Sequence, residues 1–138
     1  MIIEDSVTMA REIATKAHQG QFRRDGKTPY ISHPQRVAKR LEGNPQAQAV
    51  AWLHDVLEDT SVTSTELRQA GLGEDIIKAV EILTKTRGVK YLDYLQRVKA
   101  SDLARQVKIQ DMLDNLSDKP SDKQIVKYAR GFLVLIDS

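Results

Sequence analysis

Cysteine is absent from this 138-residue chain. Its absence excludes disulfides, thiolate metal sites and cysteine nucleophiles, and leaves nitrogen and oxygen as the donors for any bound metal. Long apolar runs are also missing. No stretch approaches the length of a membrane span, and residues 1–11 carry two acids and no apolar block, so they do not read as a signal peptide. A large excess of one charge is missing too, since the formal net charge is +2. So small a balance argues against nucleic acid as the main partner. The expectation is a soluble, cytoplasmic protein with no membrane and no nucleic-acid partner.

What is present suits a packed core. Apolar residues make up 41% and charged residues 29%, enough for a continuous interior under a well-solvated surface. The length suits one domain, residues 1–138. No repeat, low-complexity tract or linker interrupts it.

Strand-like alternation is scarce, and the periodicity is helical throughout. Val7, Ile13, Ala14 and Ala17 share one stripe of a first helix, with Asp5 or Ser6 as N-cap and Gly20 after its end. Residues 21–32 read as a polar loop. Pro34 opens a second helix that buries Val37, Ala38 and Leu41 and stops at Gly43-Asn44-Pro45. A third, over about 46–57, is apolar on nearly every side and so is the expected central helix. Thr63-x-x-Glu66 is a capping box for a fourth helix closed by Gly71, and a fifth spans about 74–83. Residues 84–89 form a basic loop. A sixth helix carries Tyr91, Leu92, Leu95 and Val98, Ser101 caps a seventh, and Ser121-x-x-Gln124 opens a last one ending near Ile136. The reading is a compact all-α domain of about seven or eight helices.

Chemistry concentrates in one block. His54 and Asp55 are adjacent in the most apolar helix, and burying an unpaired carboxylate there costs several kcal/mol, as an order of magnitude. Glu58 and Asp59 follow one helical turn later on the same face. A helix C-terminus disfavours these acids and favours a cation among them. Two readings account for the block: a solvated polar helix end, or a cation site. Two further features favour the cation. His33-Pro34 begins a helix and is a rigid platform, and Asp111 lies on a helix whose apolar positions pack inward, with Asn115 one turn further along.

The spaced set His…His-Asp…Asp resembles the HD-domain phosphohydrolases. The likeness extends to Ala17-His18-Gln19-Gly20-Gln21, Arg23-Arg24, Pro29-Tyr30-Ile31-Ser32-His33-Pro34, Leu53-His54-Asp55-Val56-Leu57-Glu58-Asp59-Thr60, Leu83-Thr84-Lys85 and Lys108-Ile109-Gln110-Asp111-Met112-Leu113-Asp114-Asn115. In order and spacing these look like the hydrolase domain of RelA/SpoT-type alarmone enzymes, over nearly the whole chain. The resemblance implies an HD-type helical fold, a bound manganese ion and removal of the 3′-pyrophosphate from (p)ppGpp. It implies His33, His54, Asp55 and Asp111 as metal ligands, Glu58 and Asp59 as the catalytic acids, and Arg23, Arg24, Lys85, Asn115 and Tyr128 as substrate contacts. The donor chemistry agrees, since two imidazoles and two carboxylates suit one divalent ion, Mn²⁺ or else Fe²⁺, Co²⁺ or Zn²⁺.

Lys85, Arg87 and Lys90 form a basic cluster that suits a pyrophosphate or, equally, a solvated loop. His18 is left out of the ligand set, as a lone histidine on an amphipathic helix. Three departures stand out. Asp114 occupies a position where the family often has histidine, which would change the charge of a nucleotide pocket. One extra residue falls between Arg24 and Pro29. The length leaves no room for a synthetase domain, which implies a hydrolase-only small form. Two other functions stay open: hydrolysis of other nucleotides such as nucleoside monophosphates, and a non-catalytic nucleotide sensor. The oligomeric state stays open as well, a homodimer included.

Overall fold

The computed structural model describes residues 3–136 and is helical. Nine helices are present among the described residues: α1 (Ile3–Ala17), α2 (Ser32–Lys39), α3 (Pro45–Leu53), α4 (Val56–Asp59), α5 (Ser64–Gln69), α6 (Glu74–Leu83), α7 (Tyr91–Lys99), α8 (Asp102–Leu116) and α9 (Asp122–Ile136). The helical segments expected from periodicity are all there, and the tally rises to nine because the third is split. None of the described helices is long and apolar enough to cross a membrane.

The caps explain most of the boundaries. Asn44 caps α3, its side chain accepting from the Ala47 amide, with Pro45 at the first helical position. Thr63 and Ser101 accept from the amides of Glu66 and Ala104 to start α5 and α8. Ser121 and Gln124 exchange reciprocal bonds at the start of α9, each side chain accepting from the other's amide at 3.1 Å. One expectation fails: Asp5 and Ser6 lie inside α1, which starts at Ile3. The helix extends past them because Asp5 suits the first turns, where negative charge complements the helix dipole.

α3 is the central element. Ala47, Ala49, Val50, Ala51 and Leu53 are fully buried, and the helix packs against α1, α2, α6 and α8. The second structural difference is the break between α3 and α4. In a continuous helix the Ala51 carbonyl would accept from the Asp55 amide. Here it takes His54 Nδ1–H at 2.6 Å, with the His54 amide at a long 3.4 Å. Asp55 then adopts φ −106° and ψ 0° as N-cap of a new turn. The His54-Asp55 pair is thus a hinge in the backbone rather than the end of a longer helix.

The loop between α1 and α2 is more ordered than its polarity suggests. Phe22 bridges to Pro29, the Arg23 amide donates to Thr28 and the Tyr30 amide to Gln21. Asp25 gathers the amides of Lys27 and Thr28 at 2.9 Å each. α9 closes over α7 and α8 at Gly131, where an added Cβ would lie 2.8 Å from Met112 Cε and 3.0 Å from Leu95 Cδ1. Gly131→Val should therefore overpack this junction and destabilise the fold by about 1–3 kcal/mol, read as a lower urea midpoint at unchanged slope.

Candidate metal centre and cleft

α8 supplies the frame of the site. Asp111 and Asp114, one turn apart, bracket the imidazole of His33 on α2. Asp111 Oδ1 lies 2.7 Å from Nε2, and Asp114 Oδ2 lies 2.7 Å from Nδ1. His54 at the helix break brings its Nε2 to 3.2 Å from the same Asp111 Oδ1. Donor atoms of His33, His54 and Asp111 all lie within 4.8 Å of one another, and all three residues are buried. Asp55 completes the group: its Oδ2 is 3.1 Å from His54 Nε2 and 3.9 Å from His33 Nε2. Tyr30 donates its hydroxyl to that oxygen at 2.5 Å.

Each histidine is held from behind. His33 Nδ1 is engaged by Asp114 and His54 Nδ1 by the Ala51 carbonyl. Both Nε2 atoms are left facing the same point, the arrangement that orients imidazoles toward a metal. Two imidazole nitrogens and two carboxylates converging there can hold a divalent ion.

The electrostatics show what the cluster demands. For His33 and His54, burial works against the charged ring. Hydrogen bonds that the ring donates to Asp111 and Asp114 outweigh it at His33, and the charges of Asp55 and Asp111 outweigh it at His54, so both pKa values rise above the usual imidazole range. Burial also opposes ionisation of Asp111, yet the Lys108 ammonium and the His54 ring hold its pKa well below the carboxylate range. The carboxylates thus favour positive charge at the point where the two Nε2 atoms meet.

Asp114 does not line a nucleotide pocket. It is fully buried behind His33, where it accepts from Arg36 Nε at 2.8 Å and Nη2 at 3.1 Å as well as from His33. Burial raises its pKa, but the His33 and Arg36 hydrogen bonds prevail and bring it to about 2. A carboxylate neutralised on the far side of the ring cannot repel a substrate in the cleft.

The acids after the break diverge. Glu58 Oε1 accepts the Lys85 amide at 2.9 Å and lines a cleft of about 310 Å³ beside His54 and Asp55. Asp59 keeps the one-turn relation to Asp55, its amide bonded to the Asp55 carbonyl at 2.9 Å. Burial, then repulsion from Asp55 and Glu58, pushes its carboxyl up to about 6.

The expected substrate contacts separate into three places. Arg23, Asn115 and Tyr128 form a strip beside Asp111: Arg23 Nη2 donates to Asn115 Oδ1 at 3.3 Å, and Asn115 Nδ2 donates to the Tyr128 hydroxyl at 3.2 Å and to Asp111 Oδ1 at 3.4 Å. Arg23 also pairs with Asp118 at 3.2 Å. Arg24 is exposed at the outer edge, bonded to Gln124 and the Asp118 carbonyl. Lys85 lines the cleft, whereas Arg87 and Lys90 do not.

Sequence reasoning missed several neighbours. Lys108 Nζ sits 3.0 Å from Asp111 Oδ2 and 5.4 Å above the Tyr94 ring, and its three-residue spacing from Asp111 on one helix was the available signal. Lys127 lines the same cleft from α9. His18 stays outside the cluster. Its Nδ1 meets Gln21 Oε1 at 2.8 Å, and Gln21 in turn donates to the Asp59 carbonyl at 3.0 Å.

Several known proteins resemble this chain over much of its length. An HD-domain family model matches residues 10–119. The guanosine-3′,5′-bis(diphosphate) 3′-pyrophosphohydrolase MESH1 of Xenopus tropicalis is 38% identical over 120 residues, spanning 79% of this chain and 66% of that protein. A guanosine-3′,5′-bis(diphosphate) 3′-pyrophosphohydrolase of Aquifex aeolicus is 34% identical over 81% of this chain but only 17% of its own length. A solved structure described as a metazoan ortholog of SpoT that hydrolyses ppGpp superposes with a TM-score of 0.77 at 22% identity, over 96% of this chain and 84% of the other. The family model spans the segments that hold His33, His54, Asp55 and Asp111, and the chain belongs to the HD-domain family.

Proposed function

We propose that this protein is a divalent-metal-dependent pyrophosphohydrolase that removes the 3′-pyrophosphate from (p)ppGpp, leaving GDP or GTP. One observation carries the reading. The converging Nε2 atoms of His33 and His54 and the carboxylates of Asp55 and Asp111 stand at the edge of a cleft whose lining includes the cations Lys85, Lys108 and Lys127. The names of the relatives point the same way.

In this reading His33, His54, Asp55 and Asp111 hold one ion, Mn²⁺ or else Fe²⁺, Co²⁺ or Zn²⁺. When bound, such an ion supplies Lewis acidity and makes water ionise near neutral pH. Tyr30 fixes one oxygen of Asp55, and Asp114 and Ala51 fix the two rings. Asp59, whose carboxyl titrates near 6, is poised as the base that takes a proton from the attacking water. Glu58 is tied to the Lys85 amide and so holds the acidic turn against the cationic loop. The water oxygen bonds to the phosphorus on the 3′ oxygen, that P–O bond breaks, and the 3′ oxygen takes up a proton as pyrophosphate leaves. Arg23, Asn115 and Tyr128, and Arg24 further out, face the nucleoside.

An acidic Asp114 facing the substrate would favour nucleoside monophosphates over a long anionic tail, but Asp114 is buried and paired. A sensor role does not explain why an acidic pair stands one turn beyond the ligands.

The Mn²⁺-loaded protein should release pyrophosphate from ppGpp, detected by a coupled pyrophosphate assay, and Asp55→Ala should abolish both metal retention and turnover. Absence of turnover in metal-replete wild type would remove this function. Asp59→Asn should lower kcat by roughly 10²–10⁴-fold with metal content unchanged. Asp114→Asn should weaken Mn²⁺ binding by about 10–100-fold, measured by chelator competition, because His33 loses its anchor. Since His33 and His54 hold protons above the usual imidazole range without metal, binding must expel them. Affinity should therefore fall as the pH is lowered, by roughly tenfold per unit for each proton displaced.

A further inference from the structure

Three ammonium groups meet in one small cleft. Lys85 follows α6, Lys108 projects from α8 and Lys127 from α9, and all line the space bounded by His54, Asp55 and Glu58. Lys108 is tied to Asp111 and so lies nearest the metal ligands. The other two differ from it: among the described residues, neither Lys85 nor Lys127 pairs with a carboxylate.

Lys127 is held in another way. Its Nζ stands 4.4 Å from the centroid of the Tyr91 ring and 5.8 Å from that of Tyr128. An aromatic face attracts an ammonium without neutralising it, so the group is positioned while its charge stays available. Burial and repulsion from Lys108 and Lys85 lower its pKa. Lys85 and Lys127 thus bring to the cleft two ammonium groups that no carboxylate pairs among the described residues, and a polyanion can pair them. Its volume of about 310 Å³ is at the small end for ligand pockets, which fits the phosphate-bearing end of a nucleotide better than the whole. The strip formed by Arg23, Asn115 and Tyr128 lies beside Asp111, leaving the cleft for the phosphates.

We propose that Lys127, seated on the Tyr91 ring, acts with Lys85 and Lys108 to bind the pyrophosphoryl group, and that Lys127 makes the site select a diphosphate ester over a monophosphate ester. Lys108, beside Asp111, meets the phosphate nearer the metal, and Lys127, exposed on α9, meets the farther one. This assignment rests on the pyrophosphohydrolase reading and goes beyond it by giving the lysines of that cleft separate tasks.

The test uses Lys127→Met and the conservative Lys127→Arg, because Lys108 is bound up with a metal ligand. Inorganic pyrophosphate and phosphate are titrated calorimetrically into the Mn²⁺-loaded protein, with free Mn²⁺ in excess so that the centre stays filled. Wild type should bind pyrophosphate at least about tenfold tighter than phosphate. Lys127→Met should lose most of that preference at unchanged Tm and metal content, and Lys127→Arg should restore much of it. With ppGpp, Lys127→Met should raise KM more than it lowers kcat. A wild type without the preference, or a Lys127→Met protein that keeps it, overturns the assignment. Lys127-dependent pyrophosphate preference in a protein that does not turn over ppGpp supports it while removing the reaction proposed above.

Discussion

The site depends on one bracket: two carboxylates a helical turn apart on α8, holding the two nitrogens of a single imidazole. Asp111 and Asp114 each stand 2.7 Å from His33. The two acids have opposite tasks. Asp114 is neutralised by Arg36 and serves as a fixed acceptor behind the ring, whereas Asp111 turns its Oδ1 toward the two Nε2 atoms and meets Lys108 with its Oδ2. Without Asp114 the ring could rotate or change tautomer, and Asp111 would face an undirected partner. Since a buried unpaired carboxylate costs several kcal/mol as an order of magnitude, the bracket also sets the charge balance of the interior. Every other proposed ligand is brought to a point that α8 defines.

The break between α3 and α4 solves a packing problem. α3 is buried on almost all sides, and a regular continuation would keep the following residues in the same close-packed setting. The His54 ring takes the Ala51 carbonyl that the helix would have used, and the chain turns at Asp55. His54 thus stays buried while Asp55 is partly open and Glu58 lines the cleft, with Asp59 one turn beyond Asp55. One side-chain hydrogen bond fixes the tautomer of a proposed ligand and redirects the backbone that carries the proposed base.

Much of this was legible because it rests on local rules. Asn44, Thr63, Ser101 and Ser121 are residues that cap helices, and three of the four helix starts were read from them. The ligand candidates stood out because histidine and carboxylate in an apolar helix need a reason to be there. The remainder depended on tertiary geometry. The helix break turns on which acceptor His54 Nδ1 finds, which no periodicity reports. Asp114 was misplaced because a position on a helix does not say whether its side chain faces the cleft or the back of a neighbouring ring. Lys127 was invisible because its role depends on Tyr91, which belongs to a helix far away in sequence.

The same geometry separates two kinds of electrostatic work that the proposed phosphohydrolase reaction must combine. The centre gathers carboxylates and demands a cation, while the cleft beside it gathers ammonium groups and demands an anion. Lys108 does pair with Asp111, and in doing so links the two halves. Lys127 instead lies against the Tyr91 face, which attracts its charge without neutralising it. An aromatic seat for a lysine at the mouth of an acidic centre is therefore the feature that lets opposite charges stand close together without cancelling. A ligand that is anionic toward the lysines and oxygen-rich toward the metal ligands satisfies both sides at once, and a phosphoanhydride meets that description better than a single phosphate.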